Sequence, residues 1–209
     1  SQEVLHRWQA DWMDAFAARG YVVVCVDGRG TGGRGRAFCD IVYRRLGHYE
    51  TIDQLAAARY AASLPYVDGS RIGIFGWSYG GYEALMAASA EGAPYAAAVA
   101  VAPVTDWRFY DSVYAERYML TPQQNDDGYR ESAPLSRPYK LACPLLLMYG
   151  TADDNVHPAN SVEYVSRLQQ AGILCDMLIF PNMNHSINGC NARALVYGKM
   201  LEYFDSKLK

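Results

Sequence analysis

Arg71-Ile72-Gly73-Ile74-Phe75-Gly76-Trp77-Ser78-Tyr79-Gly80-Gly81-Tyr82 is the stretch on which the fold is read. It passes from a short apolar run into a glycine-flanked serine and then into a helical pattern reaching Ala90. A strand that becomes a helix this abruptly needs a turn so tight that neighbours of the serine must lack a Cβ. The serine is then strained, and its hydroxyl stands above the sheet. The helix that follows aims free N–H groups and its positive dipole end at the same place, which favours an oxyanion. A serine before a helix is also an ordinary N-cap, but G-x-S-x-G between a strand and a helix is the setting of a nucleophile elbow.

Outward from that turn, short apolar runs at Tyr21 to Val26, Arg71 to Trp77, Ala96 to Ala102, Leu145 to Tyr149 and Leu174 to Phe180 predict five buried strands. Helical patterns lie between most of them: Thr51 to Ser63, Tyr79 to Ala90, Pro158 to Ala171 and Ala192 to Leu208. Gly20 and Gly172 stand where a helix needs a residue of positive φ to end. The alternation predicts an α/β-hydrolase fold, a mostly parallel sheet with helices on both faces. Val104 to Pro138 holds no strand and is expected as an excursion above the carboxyl edge of the sheet, where active sites form. The chain opens on a helical pattern (Val4, Leu5, Trp8, Trp12, Ala15, Phe16) without the strands that should come first. Residues 1–209 therefore read as one domain, expected to be a piece of a longer protein that lacks the first strands of its sheet.

A serine hydroxyl needs a base in reach and a third group to hold that base. Of the four histidines, His6, His48 and His157 sit at surface or capping positions, whereas His185 lies in the turn-rich run Pro181 to Gly189, after the last strand and before the last helix. The acid is expected after the preceding strand, in Gly150-Thr151-Ala152-Asp153-Asp154-Asn155, which gives the chain order Ser, Asp, His. Asp153 and Asp154 compete there, and adjacent side chains in an extended loop point opposite ways.

Composition narrows the function classes. With 51% hydrophobic and 20% charged residues, the chain can build a core without staples. A net charge of -3 with mixed signs leaves no footprint for nucleic acid or anionic lipid. The cluster Arg29, Arg34 and Arg36 is interleaved with glycines and reads as a loop. Five cysteines without a C-x-x-C pair predict neither disulfides nor zinc, and Cys25 and Cys175, inside apolar runs, read as small buried hydrophobes. No apolar run reaches the length of a transmembrane helix. No metal or cofactor is expected, and none of these features fixes the compartment.

Asp27-Gly28-Arg29-Gly30-Thr31-Gly32, the elbow Gly76 to Tyr82 and the run Gly150 to His157 closely resemble the prolyl oligopeptidase family, in particular its dipeptidyl peptidase IV branch. The likeness continues through Ala102 to Trp107 and Tyr110 to Tyr118, and so covers nearly the whole chain. It implies a serine exopeptidase acting on peptides with proline or alanine in the second position, and it favours Asp153 over Asp154. It also implies a ring-binding pocket of Tyr79, Val104, Trp107, Tyr110, Tyr114 and Val156, with Asn155 holding a substrate carbonyl. Trp107, Tyr110 and Tyr114, at i, i+3 and i+7, would share one face if helical. By the same resemblance, a β-propeller and a tyrosine contributing to the oxyanion hole lie outside this chain, leaving the Tyr79 backbone N–H as its own donor. The family often dimerises through this domain, so a homodimer involving Ala192 to Leu208 is expected. An esterase or oligopeptidase of other selectivity, and a non-catalytic assembly domain, are the alternatives.

Overall fold

The computed structural model describes residues 4–5, 8 and 10–209, so His6 lies outside the described residues. In chain order the elements are α1 (Trp12–Ala17), α2 (Arg36–Cys39), α3 (His48–Ala62), β1 (Ile72–Trp77), α4 (Tyr79–Ala88), β2 (Tyr95–Val101), α5 (Ser112–Met119), α6 (Asp126–Glu131), β3 (Leu145–Gly150), α7 (Ala159–Gln170), β4 (Asp176–Phe180) and α8 (Ala192–Leu208). The strands form one parallel sheet in the order β1-β2-β3-β4. This is the architecture of the α/β-hydrolase type that the alternation predicts.

The period of two along the central strands sorts side chains onto two faces. Ala97, Val99, Val101, Leu146 and Met148 pack against Phe16 of α1 and Val196, Met200 and Phe204 of α8. Ala98, Ala100, Leu145, Leu147 and Tyr149 face the other way, against Leu85 of α4 and Tyr164 and Leu168 of α7. Alanines dominate β2 because both faces carry helices at close range. The excursion after β2 folds back over the amino end of α4 and forms a third cluster around Val104, Trp107, Met119 and Tyr129. Its start is pinned to α7 by a buried pair: Asn160 Oδ1 accepts the Thr105 N–H at 2.9 Å, and the Thr105 hydroxyl donates to the Asn160 carbonyl at 2.9 Å.

Three expectations need correction. Tyr21 to Val26 has no regular secondary structure and does not join the sheet, which has four strands rather than five among the described residues. It lies beside β1 and shares with it a groove of about 350 Å³, lined by Val22, Val24, Ile72 and Ile74 among others. Val22 and Val24 are about half exposed there, and Cys25 is exposed rather than buried. Val4, Leu5 and Trp8 fall outside any helix; α1 begins only at Trp12, where Asp11 and Asp14 form a reciprocal capping box. Finally, Trp107, Tyr110 and Tyr114 do not share one helix. Asp106 caps a 3₁₀ turn at Trp107–Phe109, Tyr110 is extended, and Asp111 caps α5 anew by accepting from the Tyr114 N–H at 2.8 Å. Two capping aspartates break what the spacing alone would make continuous.

Candidate active site

Every candidate side chain sits at a carboxyl end of a strand, the edge where open parallel sheets hold their ligands. Ser78 follows β1, Asp153 follows β3, His185 follows β4, and the excursion carrying the aromatics follows β2.

The turn after β1 is as tight as the glycines require. Ser78 has φ 60° and ψ -119°, outside the helical region, and its side chain makes no cap hydrogen bond. A Cβ on Gly76 would run into the Gly80 carbonyl, and one on Gly81 would lie 2.8 Å from the Val101 carbonyl oxygen. Gly80 itself faces open space. The steric demand thus falls on Gly76 and Gly81, while Gly80 supplies the backbone that Gly76 must pass. The Ser78 N–H is held by the Val101 carbonyl at 2.8 Å, which locks the elbow to β2. The Tyr79 N–H, at the first position of α4, has no carbonyl partner within its helix.

Ser78 Oγ lies 2.8 Å from His185 Nε2, and His185 Nδ1 lies 2.7 Å from Asp153 Oδ2. The Asp153 carboxylate is fully buried, and its other oxygen accepts the backbone N–H groups of Asn155 at 3.0 Å and Val156 at 2.9 Å. Those two bonds hold the carboxylate in one orientation and satisfy it away from water. Asp154 is exposed and turned away, as expected for the neighbour.

The acid and histidine loops are zipped together by main chain. Thr151 N–H donates to the Phe180 carbonyl and Ala152 N–H to the Met183 carbonyl, each at 3.0 Å. A Cβ on Gly150 would collide with the Met183 carbonyl, so glycine is needed for this approach. Trp77 Nε1 donates to the His185 carbonyl at 3.1 Å, and the Arg193 guanidinium stacks 4.4 Å above the Trp77 ring. The sequence points to Ser78, Asp153 and His185 but not to these supports, for which Gly150, the last residue of β3, is the one available signal.

Beside Ser78, the residues Tyr79, Val104, Trp107, Tyr110 and Tyr114 line a cavity of about 110 Å³. Trp107 meets Tyr114 in a stack at 5.7 Å and Tyr110 edge-on at 5.8 Å, so the aromatic wall forms although its residues span two elements. Val156 is buried in the same cluster, behind the cavity surface. Asn155 joins the wall through its Oδ1, which accepts from the Tyr110 hydroxyl at 2.7 Å. Burial pushes the Tyr114 hydroxyl up to about 12 and that of Tyr79 well above its ordinary range, so both stay neutral donors. Among the described residues no cluster of histidine, cysteine and carboxylate side chains could hold a metal ion.

Residues 6–209 match the profile of the prolyl oligopeptidase family. The chain belongs to that family. The dipeptidyl peptidase 4 of Porphyromonas gingivalis superposes with a TM-score of 0.97 at 48% identity, over 100% of this chain and 30% of that one. A putative dipeptidyl aminopeptidase IV from Bacteroides ovatus gives a TM-score of 0.91 at 34% identity, covering 94% of this chain and 28% of that one. Dipeptidyl aminopeptidase B of Saccharomyces cerevisiae is 45% identical over 97% of this chain and 25% of its own length. This prolyl oligopeptidase family member is therefore similar to dipeptidyl aminopeptidases, and it spans about a quarter of the length of the curated relatives it matches.

Proposed function

We propose that this chain carries the catalytic site of a serine exopeptidase that releases dipeptides from peptides with proline or alanine in the second position. The observation that carries the reading is the unbroken sequence of contacts Asp153, His185, Ser78 opening onto a small aromatic cavity. In the reaction, His185 Nε2 takes the Ser78 proton as Oγ attacks the scissile carbonyl, and buried Asp153 holds the imidazole by Nδ1 and stabilises its charged form. The Tyr79 N–H meets the developing oxyanion. His185 then gives its proton to the leaving amine, and water hydrolyses the acyl-enzyme by the same relay. A pyrrolidine ring or a methyl group, small and apolar, suits the cavity, and Asn155 Nδ2, a donor group not used by Tyr110, would hold a substrate carbonyl.

By the family resemblance, a propeller and a second oxyanion donor are expected outside this chain. Loss of one such donor lowers kcat by roughly 10²–10³, so the chain expressed alone is expected to turn over that much more slowly than the longer protein. We also propose that the groove between residues 21–26 and β1 receives strand from the remainder of that protein.

The test uses the full-length protein. A fluorophosphonate should label it, Ser78→Ala should abolish labelling, and Gly-Pro and Gly-Ala amides should be cleaved well ahead of Gly-Leu. Asp153→Asn should lower kcat by roughly 10⁴ while Asp154→Asn changes it little. Labelling that survives Ser78→Ala overturns the nucleophile. Equal turnover of Gly-Pro and Gly-Leu points instead to an acyl hydrolase of other selectivity.

A further inference from the structure

Behind the aromatic wall lies an acidic group for which the triad has no use. Glu50, in the first turn of α3, is only 9% exposed. Its Oε1 accepts the Tyr79 hydroxyl at 2.8 Å, while its Oε2 is buried without a partner. The loop of Gly28 to Gly33 closes over it: Gly30 has φ 96°, and a Cβ there would lie 2.8 Å from Val42 Cγ1 and 3.5 Å from Glu50 Oε1. Arg29 anchors this loop to α3 by a forked pair with Asp53, at 2.6 and 3.0 Å. A carboxylate in such a place carries a desolvation penalty that an apolar side chain would avoid, so packing alone does not account for it.

Its contact explains more. Tyr79 is the residue after the nucleophile, and its ring forms one side of the cavity beside Ser78, in edge contact with Tyr82 at 5.4 Å and tilted on Trp107 at 5.6 Å. The hydroxyl at the far end of that ring donates to Glu50. Without that acceptor, a buried phenol would have to swing toward the cavity or draw water into it.

We propose that Glu50 is a positioning residue that acts through the Tyr79 hydroxyl, fixing the ring as a wall of the apolar cavity and so setting which residue the cavity accepts. This rests on the reading of the cavity as the substrate pocket. Gln keeps the acceptor oxygen and should preserve the effect, whereas Ala removes it. Tyr79→Phe breaks the same bond from the other side without touching the carboxyl group.

The experiment compares kcat and KM of the full-length parent, Glu50→Gln, Glu50→Ala, Tyr79→Phe and Glu50→Ala/Tyr79→Phe on Gly-Pro, Gly-Ala and Gly-Leu amides. Glu50→Gln should stay within about 3-fold of the parent, while Glu50→Ala should raise KM for Gly-Pro by about 10-fold with a much smaller change in kcat, narrowing the preference over Gly-Leu. The double variant should be no worse than Tyr79→Phe, because both changes remove one bond. Losses that multiply in the double variant overturn the proposal, as does a Glu50→Ala protein whose kcat falls equally on all three substrates. Where Glu50→Ala does not fold, the pair Tyr79→Phe and Tyr79→Phe/Glu50→Gln decides: Gln must then make no further difference. A parent without any preference among the three amides defeats the pocket reading instead, and the same cycle, read on the rate at which a fluorophosphonate labels Ser78, still decides whether Glu50 acts through Tyr79.

Discussion

At the scale of single residues, the elbow separates glycines that are sterically required from one that is not. Gly76 has no room for a Cβ because the Gly80 backbone occupies the space, whereas Gly80 faces open space and has no positive φ. Gly76→Ala should therefore destabilise the domain by about 3 kcal/mol or more, since the clash is with backbone and cannot be relieved by a rotamer change. Gly80→Ala should keep or slightly raise the melting temperature, by the roughly 0.5–1 kcal/mol that alanine gains over glycine inside a helix. Thermal unfolding of the two variants checks this; equal losses at both positions would contradict the asymmetry. Asp153 shows the same selectivity. Two adjacent carboxylates have identical chemistry, and only the turn that presents backbone N–H groups to one of them tells them apart.

At the scale of elements, α4 does two things at once. Its amino end serves Ser78 and its body is buried along nearly its whole length, Glu83 included. Neither Glu83 carboxyl oxygen has a partner, and burial, reinforced by nearby Glu50, pushes this carboxyl well above the usual carboxylate range. The folded state thus keeps a proton that the unfolded chain releases above about pH 4.5, so the stability tied to the neutral form is present at low pH and is lost as pH rises toward the folded value. Glu83→Gln cannot ionise and has the same shape. Its melting temperature should match the parent near pH 4 and exceed it at neutral pH, the gap growing by up to about 1.4 kcal/mol per pH unit over that window. Parallel melting curves for the two proteins from pH 4 to 8 would refute this. The aromatic wall teaches a related lesson: Asp106 and Asp111 each start an element, and the three rings meet in space rather than along one helix.

At the scale of the whole molecule, the sheet ends at β1 beside a half-exposed segment, and the groove between them is lined by apolar side chains together with polar ones such as Asp68 and Arg71, and is larger than the cavity at the site. Exposed apolar area of this kind marks a surface that something covers. If strand from the longer protein fills it, backbone amides of residues 21–26 and 72–76 should exchange hydrogen quickly in the isolated chain and slowly in the full-length protein, and a hydrophobic dye should bind only the former. Identical exchange in both would sink the proposal. A dimer through α8 has a candidate surface in Leu195, 59% exposed on that helix. Leu201 instead packs against the core of the sheet, so crosslinking with and without Leu195→Asp tests the surface, and crosslinks that persist unchanged in the variant would count against this helix.

Local pattern was enough for the parallel order of strand and helix, the tight turn at Ser78, and the loops that carry Asp153 and His185. Each depends on spacing and on residues, glycine above all, whose backbone chemistry is legible one position at a time. The run 21–26 reads as a strand by the same signs, but a strand exists only where it finds a partner to pair with, and no residue of its own can report that. The choice of Asp153 by geometry, the closeness of the two loops at Gly150, and the bond from Tyr79 to Glu50 join positions between 29 and 33 residues apart. Tertiary packing alone decides such contacts, because they follow from how helices and loops stack across the sheet and from which buried polar groups find each other there.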